Sequence, residues 1–229
     1  MRFRDRVDAA KHLAAALEHL RTTRPLVLAI PRGGVPLGAE IARQLRGELD
    51  LVFAHKIGAP GNAELALGAV SADGEIIVDD RAQEFGFHPE DVRAAGEAEL
   101  IRLRARAARM RRGPSIDPRS RVVIVVDDGA ATGSTLVAAL RCIARRKPAR
   151  LVAAVPIASI EAHRLLFAYA DEVVALLVPR TMQAVGEFYD DFPQVLDEEV
   201  AAMLSRSELK STTFESPRAS RGAEGSAPL

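Results

Sequence analysis

Asp127 and Asp128 stand together at the end of an uninterrupted apolar run, Val122-Val123-Ile124-Val125-Val126, and directly before Gly129-Ala130-Ala131-Thr132-Gly133-Ser134-Thr135. Adjacent carboxylates can accept hydrogen bonds from a vicinal diol. A turn of small and hydroxylated residues that opens a helix offers backbone N–H groups and hydroxyls to a phosphate. A second turn of this kind, Pro31-Arg32-Gly33-Gly34-Val35-Pro36, follows the apolar run 25–30 and precedes a helical pattern over 37–45. Arg32 supplies a forked donor there, and Gly33 lets the backbone approach an anion closely. One ligand with two separate phosphate groups could touch both turns, provided their strands are neighbours and the strand order reverses between them. Neither turn has the Gly-Lys-Ser/Thr ending of a nucleotide-triphosphate loop or the glycine spacing of a dinucleotide fold.

The elements that must position these residues are legible in the periodicity. A β-branched run without alternation is expected in a parallel sheet covered on both faces, with the acids at its carboxyl edge. Further buried strands are expected over 25–30, 49–55, 151–155 and 173–177, with helices over 37–45, 136–144 and 160–169. This alternation predicts an α/β fold around a mainly parallel five-stranded sheet with right-handed crossovers. Asp5 is positioned to cap a first helix carrying Val7, Ala10, Leu13, Leu17 and Leu20. The third strand ends at Lys56, a second cation for an anion, and Ile57-Gly58-Ala59-Pro60-Gly61-Asn62 reads as a mobile loop able to close over a site. Runs 65–70 and 75–78 flank Ser71-Ala72-Asp73-Gly74 as an antiparallel hairpin. Residues 88–112 form one long inserted helix with a basic end (Arg102, Arg104, Arg106, Arg109, Arg111, Arg112), read as a solvated face in preference to an anion or subunit contact. A final helix over 196–204 is followed by a Ser-, Pro- and Gly-rich stretch, 205–229, expected to be a disordered tail.

Composition sets outer limits. The 229 residues are 48% hydrophobic and 4% aromatic, enough for one sizeable core built from Ala, Val and Leu. Lys plus Arg and Asp plus Glu balance at 31 each, so no global charge favours nucleic acid or an acidic membrane. The single cysteine, Cys142, falls on the apolar pattern of a helix and reads as a buried structural thiol. His55, His88 and His163 lack metal-ligand spacing. No run reaches the ~20 apolar residues of a membrane span, so a cytoplasmic protein is expected.

The residues 122–135 resemble the phosphoribosyl pyrophosphate (PRPP) signature of type I phosphoribosyltransferases: apolar strand, acidic pair, and a small-residue loop ending Thr-Gly-Ser-Thr. IPRGGVP is similar to the pyrophosphate loop of that family, and HKIGAPGNAELALGAV to the flexible segment of a bacterial subgroup of predicted members. The resemblance covers about residues 1–204. It implies a three-layer fold with a PRPP-binding core over about 22–180 and hood elements from 1–20 and 181–204. It implies that Asp127 and Asp128 bind the ribose hydroxyls, that Ala130, Ala131, Thr132, Gly133, Ser134 and Thr135 wrap the 5′-phosphate, and that Arg32, Gly33, Gly34 and Lys56 receive the pyrophosphate. Arg32 and Lys56 are the candidate catalytic cations. Mg²⁺ is the implied cofactor, carried by the ligand without direct protein ligands and touched by Asp127 and Asp128 only through water.

The reaction so implied is transfer of the 5-phosphoribosyl group of PRPP to a nitrogen nucleophile, such as a nucleobase in salvage, with release of pyrophosphate. A homodimer is implied as well. One departure concerns the acceptor: Ala131 stands where 6-oxopurine members often carry an Asp, which counts against hypoxanthine, guanine and xanthine. Part of the acceptor pocket is expected in the stretch 185–192, where Tyr189 or Phe192 could stack on a base, and Glu64 could steady the ligand or the closing loop. The rival reading is a non-catalytic regulator of the same fold that senses PRPP or a nucleotide.

Overall fold

The computed structural model describes residues 2–111 and 113–212. Five strands form the central sheet: β1 (Leu26–Ala29), β2 (Glu48–Leu51), β6 (Val122–Val126), β7 (Arg150–Ile157) and β8 (Glu172–Leu177). Their order is β2-β1-β6-β7-β8, and all four pairings are parallel. Strand β1 thus has its sequence successor β2 on one side and β6 on the other. The chain order reverses at the β1/β6 seam, where the sequence reading required it, and ligands of open α/β sheets lie in the crevice of such a seam.

Period-two side-chain alternation divides the strands between two apolar layers. Val27, Ala29, Ile124, Val126, Val152 and Ala154 join one core, and Leu26, Leu28, Val123, Val125, Leu151 and Ala153 the other. The first core is covered by α1 (Arg6–Ala16), α2 (Gly34–Leu45) and α6 (Asp197–Thr212), the second by α4 (Ser134–Arg145) and α5 (Ile160–Leu166). Asp5 caps α1 as its sequence suggests, its Oδ1 accepting from the Asp8 N–H at 2.7 Å.

A separate antiparallel sheet contains β3 (Ala54–Ala59), β4 (Asn62–Ser71) and β5 (Ile76–Val78), followed by the long helix α3 (Pro89–Met110). The β4/β5 hairpin matches expectation. The mobile loop expected over 57–62 does not: it is the tip of a β3/β4 hairpin, closed by Pro60-Gly61 with Gly61 at φ +76°. Pro followed by a positive-φ Gly is a turn signal that also completes a hairpin, and the alternation around it was too weak to show the flanking strands. Register shifts on either side of Gly58 keep the strand irregular there. Cys142 is buried with Ala69 and Ala138 where α4 meets this sheet, and burial pushes its thiol up to about 12.

The N-terminal segment pairs with residues 188–190 beside the carboxyl end of β6. Phe3 donates its N–H to the Phe188 carbonyl at 2.9 Å and its carbonyl accepts from Asp190 N–H at 2.9 Å. Helix α6 runs to Thr212, beyond the end expected at Leu204, and packs on α2, β2 and α3. The expectations for Arg112, the side chain of Glu64 and the segment after residue 212 lie outside the described residues.

Candidate functional site

At the β1/β6 seam the two strands deliver their turns side by side. The Ile30 N–H donates to the Val126 carbonyl at 2.9 Å, which ties the start of one turn to the end of the other strand. A cleft of about 510 Å³ opens there, and Arg32, Gly33, Asp127, Asp128 and Thr135 line it together. Its far wall comes from the β2–β3 junction and from α3, through His55, Glu99, Arg102 and Arg106 among others.

The acidic pair is desolvated and strained electrostatically. Burial, and then the neighbouring charge of Asp128, hold the Asp127 carboxyl well above its ordinary range. Burial also raises Asp128, against the opposing pull of Arg6. Arg6, in the first turn of α1, reaches Asp128 Oδ2 through Nε at 2.9 Å and Nη2 at 2.8 Å. Its Nη1 donates to the Pro193 carbonyl at 2.7 Å, and its guanidinium lies 3.7 Å from the Phe192 ring centroid. Sequence reasoning missed Arg6 because its partner is 122 residues away and nothing local distinguishes it from its charged neighbours.

Gly33 explains how the turns come so close. A Cβ there would lie 1.9 Å from Asp128 Oδ2, so any side chain would displace the acid. Gly34 is different from expectation. It begins α2, and a Cβ on it would meet the Val126 carbonyl oxygen at 2.6 Å, so it serves packing against β6 more directly than a ligand. The Pro31–Arg32 peptide is cis. Arg32 Nη1 lies 3.3 Å from Asp197 Oδ1 at the start of α6, and Arg109 Nε lies 3.4 Å from the other oxygen of that carboxylate.

In the second turn, Ala131, Thr132 and Thr135 are exposed, and Thr132 Oγ1 and Ser134 Oγ are 3.0 Å apart. Gly133, at φ +73°, precedes α4 and has no side chain to cap it, and the Ser134 N–H donates to Thr132 Oγ1 at 3.3 Å. The remaining N–H groups of this helix start are of the kind that can meet an anion. Ala130 departs from the expected wrap: it is buried, and its N–H donates to the Ile157 carbonyl at 2.8 Å, so it cannot serve a phosphate. Lys56 lies on β3, sharing by alternation the face of Ala54, which packs toward α4, and it is not among the residues lining the cleft.

The aromatic pair expected over a base is packed instead. Tyr189 is 2% exposed, and its hydroxyl donates to the Asp128 carbonyl at 2.7 Å. Phe192 stacks on it with centroids 4.7 Å apart while also meeting Arg6. Burial raises the Tyr189 phenol further above its ordinary range. Both rings therefore brace the acidic strand end. From the same stretch, Val185 closes against Gly129, where a Cβ would meet its Cγ1 at 2.6 Å.

The basic end of α3 is solvated only in part: Arg102, Arg104 and Arg109 are exposed, while others of the run dock on neighbouring elements. Arg106 Nη2 donates to the Pro31 carbonyl at 3.2 Å, Arg109 pairs with Asp197, and Arg111 pairs with buried Asp50 at 3.1 Å. Charge runs of this kind are ambiguous in sequence because the docking face of the helix depends on the small sheet beneath it.

Among the described residues no group of three or more His, Cys, Asp or Glu side chains could hold a metal ion. Mg²⁺ suits this arrangement, since it keeps several waters and binds through one or two carboxylates together with ligand phosphates. Asp127 and Asp128 are the groups that would meet its waters. No helix among the described residues is long and apolar enough to cross a membrane.

Two curated Mycobacterium tuberculosis proteins, each named a putative phosphoribosyl transferase, are 39% identical over 206 residues, covering 89% of this chain and 46% of theirs. The chain thus spans about half the length of the curated relatives it matches. The crystal structure of TT1426 from Thermus thermophilus is similar at a TM-score of 0.85 and 46% identity, over 90% of this chain and 99% of that one. With the model of the phosphoribosyl transferase domain matching residues 4–183, the chain belongs to that family.

Proposed function

We propose that the protein transfers the 5-phosphoribosyl group of PRPP to a nitrogen nucleophile and releases pyrophosphate. One observation carries this reading: two glycine-containing turns, each opening a helix, flank a carboxylate pair in a single cleft at the β1/β6 seam. A ribose bearing a phosphate at one end and a diphosphate at the other matches that sequence of groups. The 5′-phosphate would sit at the N-terminus of α4, on the hydroxyls of Thr132, Ser134 and Thr135 and the N–H groups of residues 131–135. Asp127 and Asp128 would accept from the 2′ and 3′ hydroxyls. Arg6 opposes the effect of burial on Asp128 and aims it, both of its contacts going to Oδ2 and leaving Oδ1 for the sugar.

The bond from the ribose C1 to the diphosphate oxygen breaks with its electron pair leaving on the diphosphate, a nitrogen lone pair forms the new bond to C1, and the proton carried by that nitrogen passes to water or to the departing diphosphate. Positive charge develops on the ribose while negative charge collects on the leaving group. Arg32 would stabilise that group as it departs, after exchanging Asp197 for the ligand. When bound, Mg²⁺ supplies further neutralisation of the diphosphate. The acceptor would enter beside Ala131 and Val185, a small and apolar border that offers no carboxylate to a purine oxo group. Homodimerisation and a cytoplasmic location remain part of the proposal, the former checked by light scattering.

The test is release of pyrophosphate from PRPP and Mg²⁺ across a panel of nitrogenous heterocycles. Acceptor-dependent release supports a transferase. Tight PRPP binding with no release on any acceptor would favour the regulatory reading, and no PRPP binding would sink both.

A further inference from the structure

The inserted helix α3 has a role that the family's two signature turns do not account for. Glu99, Arg102, Leu103 and Arg106 fall at spacings of three and four, so they share one face of the helix. Leu103 is buried in the main core and fixes that face toward the cleft. The other three residues line the same cleft as Arg32 and the acidic pair. Arg106 reaches across to the carbonyl of Pro31, the residue before Arg32, and that contact uses one of the five N–H donors a guanidinium carries. Arg102 is held at 3.1 Å by Glu99.

Charge in the cleft is accordingly divided. The carboxylates Asp127 and Asp128 lie at the β6 end, and Arg32, Arg102 and Arg106 gather where the β1–α2 turn faces α3, with the Glu99 carboxylate beside Arg102 offsetting part of that charge. We infer that α3 forms the second wall of the diphosphate site, with Arg102 and Arg106 gripping from above the polyanion that Arg32 meets from below. The ligand class is a diphosphate, either carried on PRPP or free as pyrophosphate. Forked, permanently charged donors suit its oxygens, and two of them from a separate element would hold the leaving group after the C1 bond breaks.

This inference rests on the functional reading above, and the test separates the two. Calorimetric titrations with Mg²⁺ present compare PRPP, pyrophosphate and ribose 5-phosphate on the wild type, Arg102→Gln, Arg106→Gln and Arg104→Gln. Arg104 donates to the Ala72 carbonyl in the β4/β5 turn and serves as the control. Each of the first two variants should weaken PRPP and pyrophosphate about tenfold, as expected for a charge-assisted hydrogen bond. Ribose 5-phosphate, lacking the diphosphate, should bind as to wild type, and Arg104→Gln should change none of the three. Arg106→Lys should recover part of the loss. Unchanged PRPP and pyrophosphate binding, or an equal loss of ribose 5-phosphate, would overturn the assignment. A wild type that binds none of the three ligands would overturn the functional reading beneath it.

Discussion

The two turns at the sheet edge share a strand, loop and helix plan, yet they are held in place differently. The β6–α4 turn is secured by the adjoining strand, through Ala130 and Ala158, and by its own hydroxyls at Thr132 and Ser134. The β1–α2 turn is secured by side chains 75 and 165 residues away, Arg106 on Pro31 and Asp197 on Arg32, and by the fit of Gly33 against Asp128. A phosphate site made of backbone N–H groups and local hydroxyls is a property of a short segment. A diphosphate site made of guanidinium groups belongs to the tertiary structure, and it can be disturbed from several elements at once.

The largest expected effect lies between the turns. Arg6→Ala removes one partner of a buried ion pair and leaves Asp128 desolvated, which should cost about 3–5 kcal/mol. Urea denaturation checks this, and an unchanged midpoint would mean that Arg6 does not clamp the seam. Next come the glycines, one per turn. Gly33→Ala forces Asp128 aside and should cost about 1–3 kcal/mol as overpacking, with PRPP binding falling by a comparable factor. Gly133→Ala places a side chain at φ +73° for about 1–2 kcal/mol and should weaken ribose 5-phosphate as strongly as PRPP. Titration of both ligands on both variants tells whether the turns divide the ligand as described.

The acidic pair adds a pH dependence. Both carboxyls are raised on folding, so their contribution to stability is fully present below about pH 4 and is lost as pH rises through the elevated values. Urea titrations across pH 4–8 should show Asp127→Asn removing part of that decline. A parallel slope in the variant would place the strain elsewhere. The smallest effect is expected from Asp197→Asn, which frees Arg32 from a partly exposed pair; PRPP should bind tighter by up to about fivefold. Weaker binding would show that Asp197 aims Arg32 and does not compete for it.

What the sequence made legible follows the same division. The β6–α4 signature, the parallel strands and the β4/β5 hairpin are each encoded within a few residues, by apolar runs and turn chemistry, and all three stand in the fold. Arg6, Arg106 and Asp197 act across long separations, so no local spacing reveals them. The stretch 57–62 looked like a loop because Gly58, Pro60 and Gly61 also suit an irregular hairpin tip. Tyr189 and Phe192 read as groups that could stack on a base, and they pack on each other and on Arg6 instead, because a residue type cannot say which side of a wall it faces.

The most direct measurement is a crystal structure with PRPP and Mg²⁺ bound. The account predicts one ligand spanning both turns, its 5′-phosphate at Thr132, Ser134 and Thr135, its diol on Asp127 and Asp128, and its diphosphate between Arg32 and α3. A ligand with the diphosphate on the α4 turn, or one lying outside the β1/β6 seam, would contradict it.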